Sequence, residues 1–321
     1  MKGGLEYMEF GGYLQFPQFT GEIFHTEAIA LNSARNCLAY LIESKKIQKI
    51  VLPKFLCGAV AQVCHRYNLQ IRYYSIGVDF RPTNLNLKCD EWLYIVNYYG
   101  QISNYEIEVM KSIYDRVIVD NVQAYFQEPI TNVDTLYTCR KFFGVPDGAF
   151  LYTDSHLLRS LEQDKSAERM SHLLGRYEKT ASEYYTEYIK NETIIDGLPI
   201  RLMSKMTNNL LQALDYDKIK AVRERNFLYL EKNFASLNEL ELTIPIGSFM
   251  YPLYLTNAEQ IREQLKKEKI YIPILWPNVL KECKDTETEY RLAKNILPLP
   301  CDQRYDLKSM ELMTDKILEM L

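Results

Sequence analysis

Asp120 closes the apolar run Val117-Ile118-Val119 and is followed by Asn121-Val122-Gln123. Lys141 follows a second run, Thr135-Leu136-Tyr137-Thr138, within Cys139-Arg140-Lys141-Phe142-Phe143-Gly144-Val145-Pro146-Asp147-Gly148. A carboxylate at one strand end and a lysine at the next can converge on a single cofactor ring. That pairing suits pyridoxal phosphate. The amine would attach to the cofactor covalently, and the carboxylate would keep the pyridine nitrogen protonated so that the ring draws electrons.

The neighbours of both residues extend this chemistry. Phe142-Phe143 and Val145-Pro146 would exclude water around Lys141, which favours the neutral amine. Adjacent Arg140 pushes the same way and offers a guanidinium to a phosphate. Asp147-Gly148 supplies a turn before the next strand. Gln123, three residues after Asp120, is placed to reach the phenolic oxygen of the same ring. Asn97 ends a neighbouring strand, where it either contacts substrate or forms a polar turn. Ser33-Ala34-Arg35 begins a helix whose free N–H groups and positive dipole end suit a phosphate, although an ordinary N-cap reads the same way. Phe55, shortly after Pro53, either stacks on the ring or packs in the core.

These residues need elements that deliver them to one edge. The periodicity predicts a helix over 28–45, with Asn32-Ser33 as a cap in its first part. A strand at Ile50–Leu52 follows, stopped by Pro53, then a helix over 57–67 and a strand over 71–76. Trp92–Asn97 is an apolar strand, 104–114 a helix, Val117–Asp120 a strand, and 133–138 and 149–153 complete the pattern. Such alternation implies parallel pairing with right-handed crossovers, and short continuous apolar strands imply a sheet covered on both faces. Ligands of such sheets gather beyond the carboxyl ends of the strands, where Asn97, Asp120 and the Thr138–Lys141 stretch all fall.

Further along, residues 155–190 read as helix and Asp196-Gly197-Leu198-Pro199 as a break. Residues 204–234 read as a long helix that bends or breaks near Leu214-Asp215-Tyr216-Asp217. Beyond about 236 the pattern changes. Leu240–Ile244 and Phe249–Leu255 are expected as antiparallel strands, with helices over 257–268 and 307–320 around a short strand at Ile270–Ile272. The domains expected are therefore a large α/β unit over 1–235 and a small α+β unit over 236–321.

Bulk properties bound the function. The chain has 321 residues, 47% of them apolar and 25% charged, as in an ordinary globular protein. A net charge of −4 gives no pull toward nucleic acid or an anionic membrane surface. No apolar run approaches the roughly 20 residues that span a bilayer, and Met1-Lys2-Gly3-Gly4-Leu5-Glu6 lacks the apolar core of a leader peptide. The seven cysteines are odd in number and scattered, with no CxxC, so neither a disulfide framework nor a zinc site is expected and a reducing cytoplasm is the simplest compartment. The four histidines are equally scattered, and no metal is expected. The 25 tyrosines are read as packing and subunit interface rather than as ligand contacts.

Taken together, these segments resemble the DegT/DnrJ/EryC1/StrS family of sugar aminotransferases. Ser33-Ala34-Arg35-Asn36-Cys37-Leu38 resembles the family's Ser-Gly-Thr-x-Ala-Leu phosphate segment. Asn97-Tyr98-Tyr99-Gly100-Gln101 is similar to its HLYGQ strand end, and Asp120-Asn121-Val122-Gln123-Ala124 to its DAAQA motif. Lys141 falls where the family's Schiff-base lysine belongs. Arg201-Leu202-Met203-Ser204 is similar to YRMSE, and Ile296-Leu297-Pro298-Leu299-Pro300 to a C-terminal LSLPLHP strand. The departures are as specific. Leu136 stands where the family has a phosphate-binding serine, which leaves Thr138 or Arg140 to substitute. Ala34-Arg35 replaces Gly-Thr, and Pro146-Asp147-Gly148-Ala149 replaces Gly-Glu-Gly-Gly.

The resemblance implies a fold-type I pyridoxal phosphate enzyme: a large, mostly parallel sheet flanked by helices, with a smaller C-terminal domain. It implies transfer of an amino group from an amino acid, glutamate for preference, to a keto group on a nucleotide-linked sugar. It also implies a homodimer whose active sites use both subunits, with Arg201 and Ser204 as candidates for substrate contacts. Two alternatives remain at this point. One is a regulator or binding module of the same fold with little turnover. The other is a sugar dehydratase, in which a histidine replaces the lysine, so Lys141 speaks against it.

Overall fold

The structure, a computed structural model, describes residues 10–321. The Met1–Glu6 stretch considered above lies outside the described residues. In chain order the elements are β1 (Ile29–Leu31), α1 (Ala34–Lys45), β2 (Lys49–Pro53), α2 (Gly58–Arg66), β3 (Gln70–Ile76), β4 (Pro82–Thr83), β5 (Trp92–Val96), α3 (Asn104–Ile113), β6 (Val117–Asp120), β7 (Asp134–Thr138), β8 (Ala149–Tyr152), α4 (Ser171–Glu178), α5 (Tyr185–Gly197), α6 (Lys205–Leu211), α7 (Tyr216–Phe234), β9 (Met250–Tyr254), α8 (Ala258–Lys267), α9 (Val279–Glu282), α10 (Thr288–Asn295), β10 (Ile296–Pro300) and α11 (Leu307–Leu318).

Eight strands form one sheet in the order β1-β8-β7-β6-β5-β2-β3-β4. The pairs joining β3, β2, β5, β6 and β7 are parallel, while β8 runs antiparallel to β7 and to β1, and β4 antiparallel to β3. Every residue of β6 and β7 is buried, which requires cover on both faces and explains why β6 opens on the unbroken apolar run Val117-Ile118-Val119. The parallel register brings Val96 beside Asp120 and Asp120 beside Leu136, so the chain leaves β5, β6 and β7 at one common edge. A second sheet pairs β9 with β10. Its own apolar core joins Tyr251, Leu253, Leu297 and Leu299 to Phe227, Leu230 and Phe234 of α7, residues on the N-terminal side of position 236.

Several expectations need correction, and backbone hydrogen bonding explains most of them. Residues 29–31 are a strand, not the first turn of the helix; α1 begins at Ala34, with Ser33 as its N-cap. Residues 155–170 are largely irregular, because Leu202 donates to the Glu162 carbonyl at 2.9 Å and accepts from the Asp164 N–H at 3.0 Å, bonds that a continuous helix would not leave free. The stretch 204–234 does break at the expected place: α6 ends at Leu211 and α7 starts at Tyr216, capped by Asp215. Leu240–Ile244 is not a strand. Its Thr243 amide and carbonyl bond the side chain of Gln101, at 2.8 and 2.9 Å, and the partner of β9 is β10 instead. Ile270–Ile272 pairs with no strand; the Ile270 N–H closes α8 on the Leu265 carbonyl.

Candidate active site

Asp120 ends β6 almost completely buried. Its Oδ1 accepts the Val122 N–H at 3.0 Å, a local turn that any Asp at this strand end can make, and its Oδ2 accepts the Tyr94 hydroxyl at 2.7 Å. Desolvation raises the pKa of this carboxyl; the Lys141 charge, the Tyr94 hydroxyl and the Val122 N–H each pull it back only in part. Removal from water also lowers the pKa of Lys141, and here Asp120 is the leading opposing influence. The two groups therefore sense each other's charge. Lys141 presents accessible surface, yet protein crowds its ammonium enough to desolvate it, as expected of an amine at the bottom of a cleft. The ammonium also lies 5.5 Å from the centre of the Phe249 ring, which comes from the segment entering β9.

The turn carrying Lys141 is pinned on both sides. Gly148 has φ +108, and a Cβ there would meet Thr207 Cγ2 at 2.8 Å, so only glycine fits. Its N–H donates to the Asn32 carbonyl at 2.9 Å, which ties the turn to the start of α1. Asp147 beside it accepts from the Ser204 N–H at 2.9 Å, the Ser204 hydroxyl at 2.7 Å and the Thr207 hydroxyl.

Gln123 is buried and its amide oxygen accepts the N–H of Tyr99 at 2.7 Å, where the backbone takes φ +53. That bond fixes the amide orientation and leaves the NH2 end as the free donor, the polarity needed to meet a phenolate oxygen.

The start of α1 and the Lys141 turn form a cationic corner. Ser33 Oγ accepts from the Asn36 N–H at 3.2 Å as N-cap, and Ala34 and Arg35 make the first turn. Arg35 reaches Asp196 at 3.0 Å and Glu192 at 3.8 Å, and Arg140 also pairs with Glu192. Burial brings the Arg140 guanidinium down to about 10, while Arg35 Nε is buried with no acceptor. Thr138 is buried at the end of β7, opposite Ala149 in the register. Arg35 and Arg140 both bear on Lys141 electrostatically.

Four further candidates make their visible contacts within the protein itself. Asn97 is completely buried, and its side chain braces the turn: the amide NH2 faces Ile102 O, Asn121 Oδ1 and Gln127 Oε1, and the oxygen accepts the Ile102 N–H at 2.9 Å. It has no face for substrate. Phe55 is packed in an aromatic cluster, 4.4 Å from Trp276 and 5.3 Å from Tyr98, so it belongs to the core rather than to a cofactor ring. Ser204 is the buried N-cap of α6 and is used up by Asp147, Ser166 and Thr207. Arg201 pairs within its own chain with Asp164 at 3.4 Å and Glu162 at 3.6 Å.

Sequence reasoning missed Tyr94, Glu192, Asp196 and Phe249. Of these only Tyr94 carried a signal, since a tyrosine inside a buried strand needs a partner for its hydroxyl. Among the described residues no group of three His, Cys, Asp or Glu side chains could hold a metal ion, and no helix is long and apolar enough to cross a membrane. All seven cysteines are free.

No family model matches the sequence, and no curated protein matches it. Solved structures do match. A DegT DnrJ EryC1 StrS aminotransferase from Brucella abortus is 14% identical, over 91% of this chain and 85% of that one, with a TM-score of 0.61. The sugar aminotransferase CalS13 from Micromonospora echinospora is 11% identical, over 92% and 87%, with a TM-score of 0.62. NtdA from Bacillus subtilis, with bound cofactor PMP, is 12% identical, over 91% and 72%, with a TM-score of 0.64. The chain thus has the fold of the DegT/DnrJ/EryC1/StrS sugar aminotransferases, the fold that its motif order implied.

Proposed function

We propose that this protein is a pyridoxal phosphate-dependent aminotransferase. The observation that carries the reading is that parallel β6 and β7 deliver Asp120 and the turn bearing Lys141 to one edge of the sheet, on a fold shared with sugar aminotransferases; the shifts of the two groups agree with that proximity. The donor set fits the cofactor at each end. A desolvated carboxylate with one lone pair free on each oxygen suits a protonated ring nitrogen. The oriented NH2 of Gln123 suits the ring oxygen. The α1 N-terminus, with Ser33, Ala34, Arg35, Arg140 and neighbouring Thr138, suits a phosphate, and the orphaned Arg35 Nε adds a donor there.

When bound, the cofactor supplies the electron-withdrawing ring that lets a proton leave the Cα of an amino acid. The protein's residues do the rest. Lys141 holds the cofactor through its amine and, once freed, carries the proton taken from that Cα. Its lowered pKa keeps a larger share of the amine neutral, the form able to bond and to accept a proton. Asp120 holds the proton on the ring nitrogen, and Gln123 fixes the ring's tilt.

The amino donor in this reading is glutamate and the acceptor a nucleotide-linked keto-sugar. The solved structure of CalS13, a sugar aminotransferase, supports the sugar part. A homodimer in the cytoplasm completes the reading, with Arg201 the candidate for a contact across subunits. The test is spectral. Protein loaded with pyridoxal phosphate should lose its visible band on addition of glutamate, and one member of a panel of nucleotide keto-sugars should restore it. A band indifferent to every amino acid donor would contradict aminotransfer.

A further inference from the structure

Tyr94 lies on β5, two residues before the strand's end, and its ring is buried among apolar neighbours. Its hydroxyl has one partner, Asp120 Oδ2, at 2.7 Å. An ionised carboxylate only accepts, so the phenol is the donor. Burial and the Asp120 charge push the Tyr94 pKa far above its ordinary value, so it remains a donor throughout the accessible pH range. With Val122 N–H on Oδ1 and Tyr94 on Oδ2, each oxygen of Asp120 has one fixed protein donor. The other groups that bear on this carboxylate are Lys141 from the turn after β7, Cys37 from α1 and Tyr98 from the turn after β5. Of these, only Lys141 is a cation. The thiol and the phenol of Tyr98 are held neutral by burial.

We infer that Tyr94 is a positioning residue that keeps Asp120 ionised and aimed, so that a proton shared between this carboxylate and a cofactor ring nitrogen stays on the nitrogen. The carboxylate and the ring nitrogen compete for one proton. A buried carboxylate without a second donor is the stronger base, and it would draw the shared proton to itself. The ring would then carry no positive charge and withdraw fewer electrons. A hydrogen bond to the ionised form works in the opposite direction. The inference rests on the proposed function, because it concerns the same ring.

The consequence is measurable without turnover. A protonated ring nitrogen makes the nitrogen that joins Lys141 to the cofactor less basic, so the visible band of the loaded protein titrates at lower pH. Tyr94→Phe removes only the hydroxyl. Its band should titrate with a midpoint higher by roughly half a unit to one unit, the scale of one hydrogen bond to a charged group. In an Asp120→Asn background the same substitution should not move the midpoint, since the amide cannot hold the ring proton by charge. That second comparison separates a role through Asp120 from loss of packing.

Equal midpoints for wild type and Tyr94→Phe would overturn the inference. So would an equal shift in both backgrounds. Should Tyr94→Phe fold poorly, Tyr94→Trp with its N–H donor provides the alternative comparison: partial return toward the wild-type midpoint supports the inference, and a midpoint shifted as far as in a donor-free Tyr94→Leu overturns it. A wild-type protein that forms no visible band at all would instead refute the cofactor reading itself.

Discussion

Asp120 is a costly residue in the protein without its cofactor, and that cost has a sign. Its folded pKa is raised above the ordinary 3.8, so the group favours the folded state most at low pH. That contribution is fully present below the unfolded pKa and is lost as pH rises through the folded pKa. Asp120→Asn should therefore raise the urea midpoint of the cofactor-free protein at pH 7, and the difference should vanish below pH 3.8. The same substitution should slow transamination about 10²- to 10³-fold, the scale of removing one preorganised charge from a reacting centre. A variant that is as active as wild type would remove Asp120 from the electron sink. Residues of this kind were legible from sequence because their chemistry coincides with a strand end. Asn97, Phe55 and Ser204 could not be placed from sequence for the opposite reason. Residue type announces a polar or aromatic group, but only the fold shows that Asn97 and Ser204 spend theirs on backbone and capping bonds and that Phe55 faces Trp276.

At the scale of elements, α5 and the α1 N-terminus meet through charge. Glu192 and Asp196 hold Arg35 and Arg140, the guanidinia proposed for phosphate. A phosphate bound there competes with Glu192. Glu192→Gln should tighten pyridoxal phosphate binding about tenfold, close to one charge-assisted hydrogen bond, and leave pyridoxal, which lacks the phosphate, unchanged. Equal effects on both ligands would place the phosphate elsewhere.

A second element-scale device is His25, ahead of β1. Its Nε2 donates to the Tyr125 carbonyl at 2.9 Å and its Nδ1 accepts from the Tyr152 hydroxyl at 3.1 Å. Burial lowers its pKa to about 4. The unfolded chain takes up this proton first, so stability should fall as pH drops from 6.5 toward 4. Denaturant titrations across that range should show a shallower slope in His25→Gln. The central strands β2, β5 and β6 were readable because continuous apolar runs need cover on both faces, whereas the short β1 beside His25 was not. Residues 155–170 and 240–244 were not, because their backbone partners, Leu202 and Gln101, are remote in sequence.

At the scale of the whole molecule, Arg223 of α7 ties the turn after Lys141 to segments beyond residue 236. It is buried, donates to the Ser248 carbonyl at 2.7 Å, to Gln303 Oε1 at 2.7 Å and to the Phe142 carbonyl at 3.1 Å, and packs its guanidinium 4.6 Å from the Phe142 ring. Gln303 adds a second donor to the Phe142 carbonyl at 2.7 Å. The residue after Lys141 is thus held by the C-terminal part of the chain. Arg223→Leu leaves those buried acceptors short of a donor and should cost about 2–4 kcal/mol in denaturant unfolding. It should also weaken cofactor binding, since the turn that aims Lys141 loses its anchor. A variant with wild-type stability would mean that other contacts hold this turn. The change of pattern after residue 236 was visible in sequence, but the sharing of α7 between both cores was not, because a helix with apolar positions on several faces does not declare what lies against each.

The central claim is that Lys141 bonds to a pyridoxal ring whose nitrogen faces Asp120. Its most direct test is borohydride reduction of the protein incubated with pyridoxal phosphate, followed by peptide mass mapping. The label should lie on the peptide containing Lys141 and be absent from Lys141→Ala. A label on any other lysine, or none on the wild-type protein, would contradict the account.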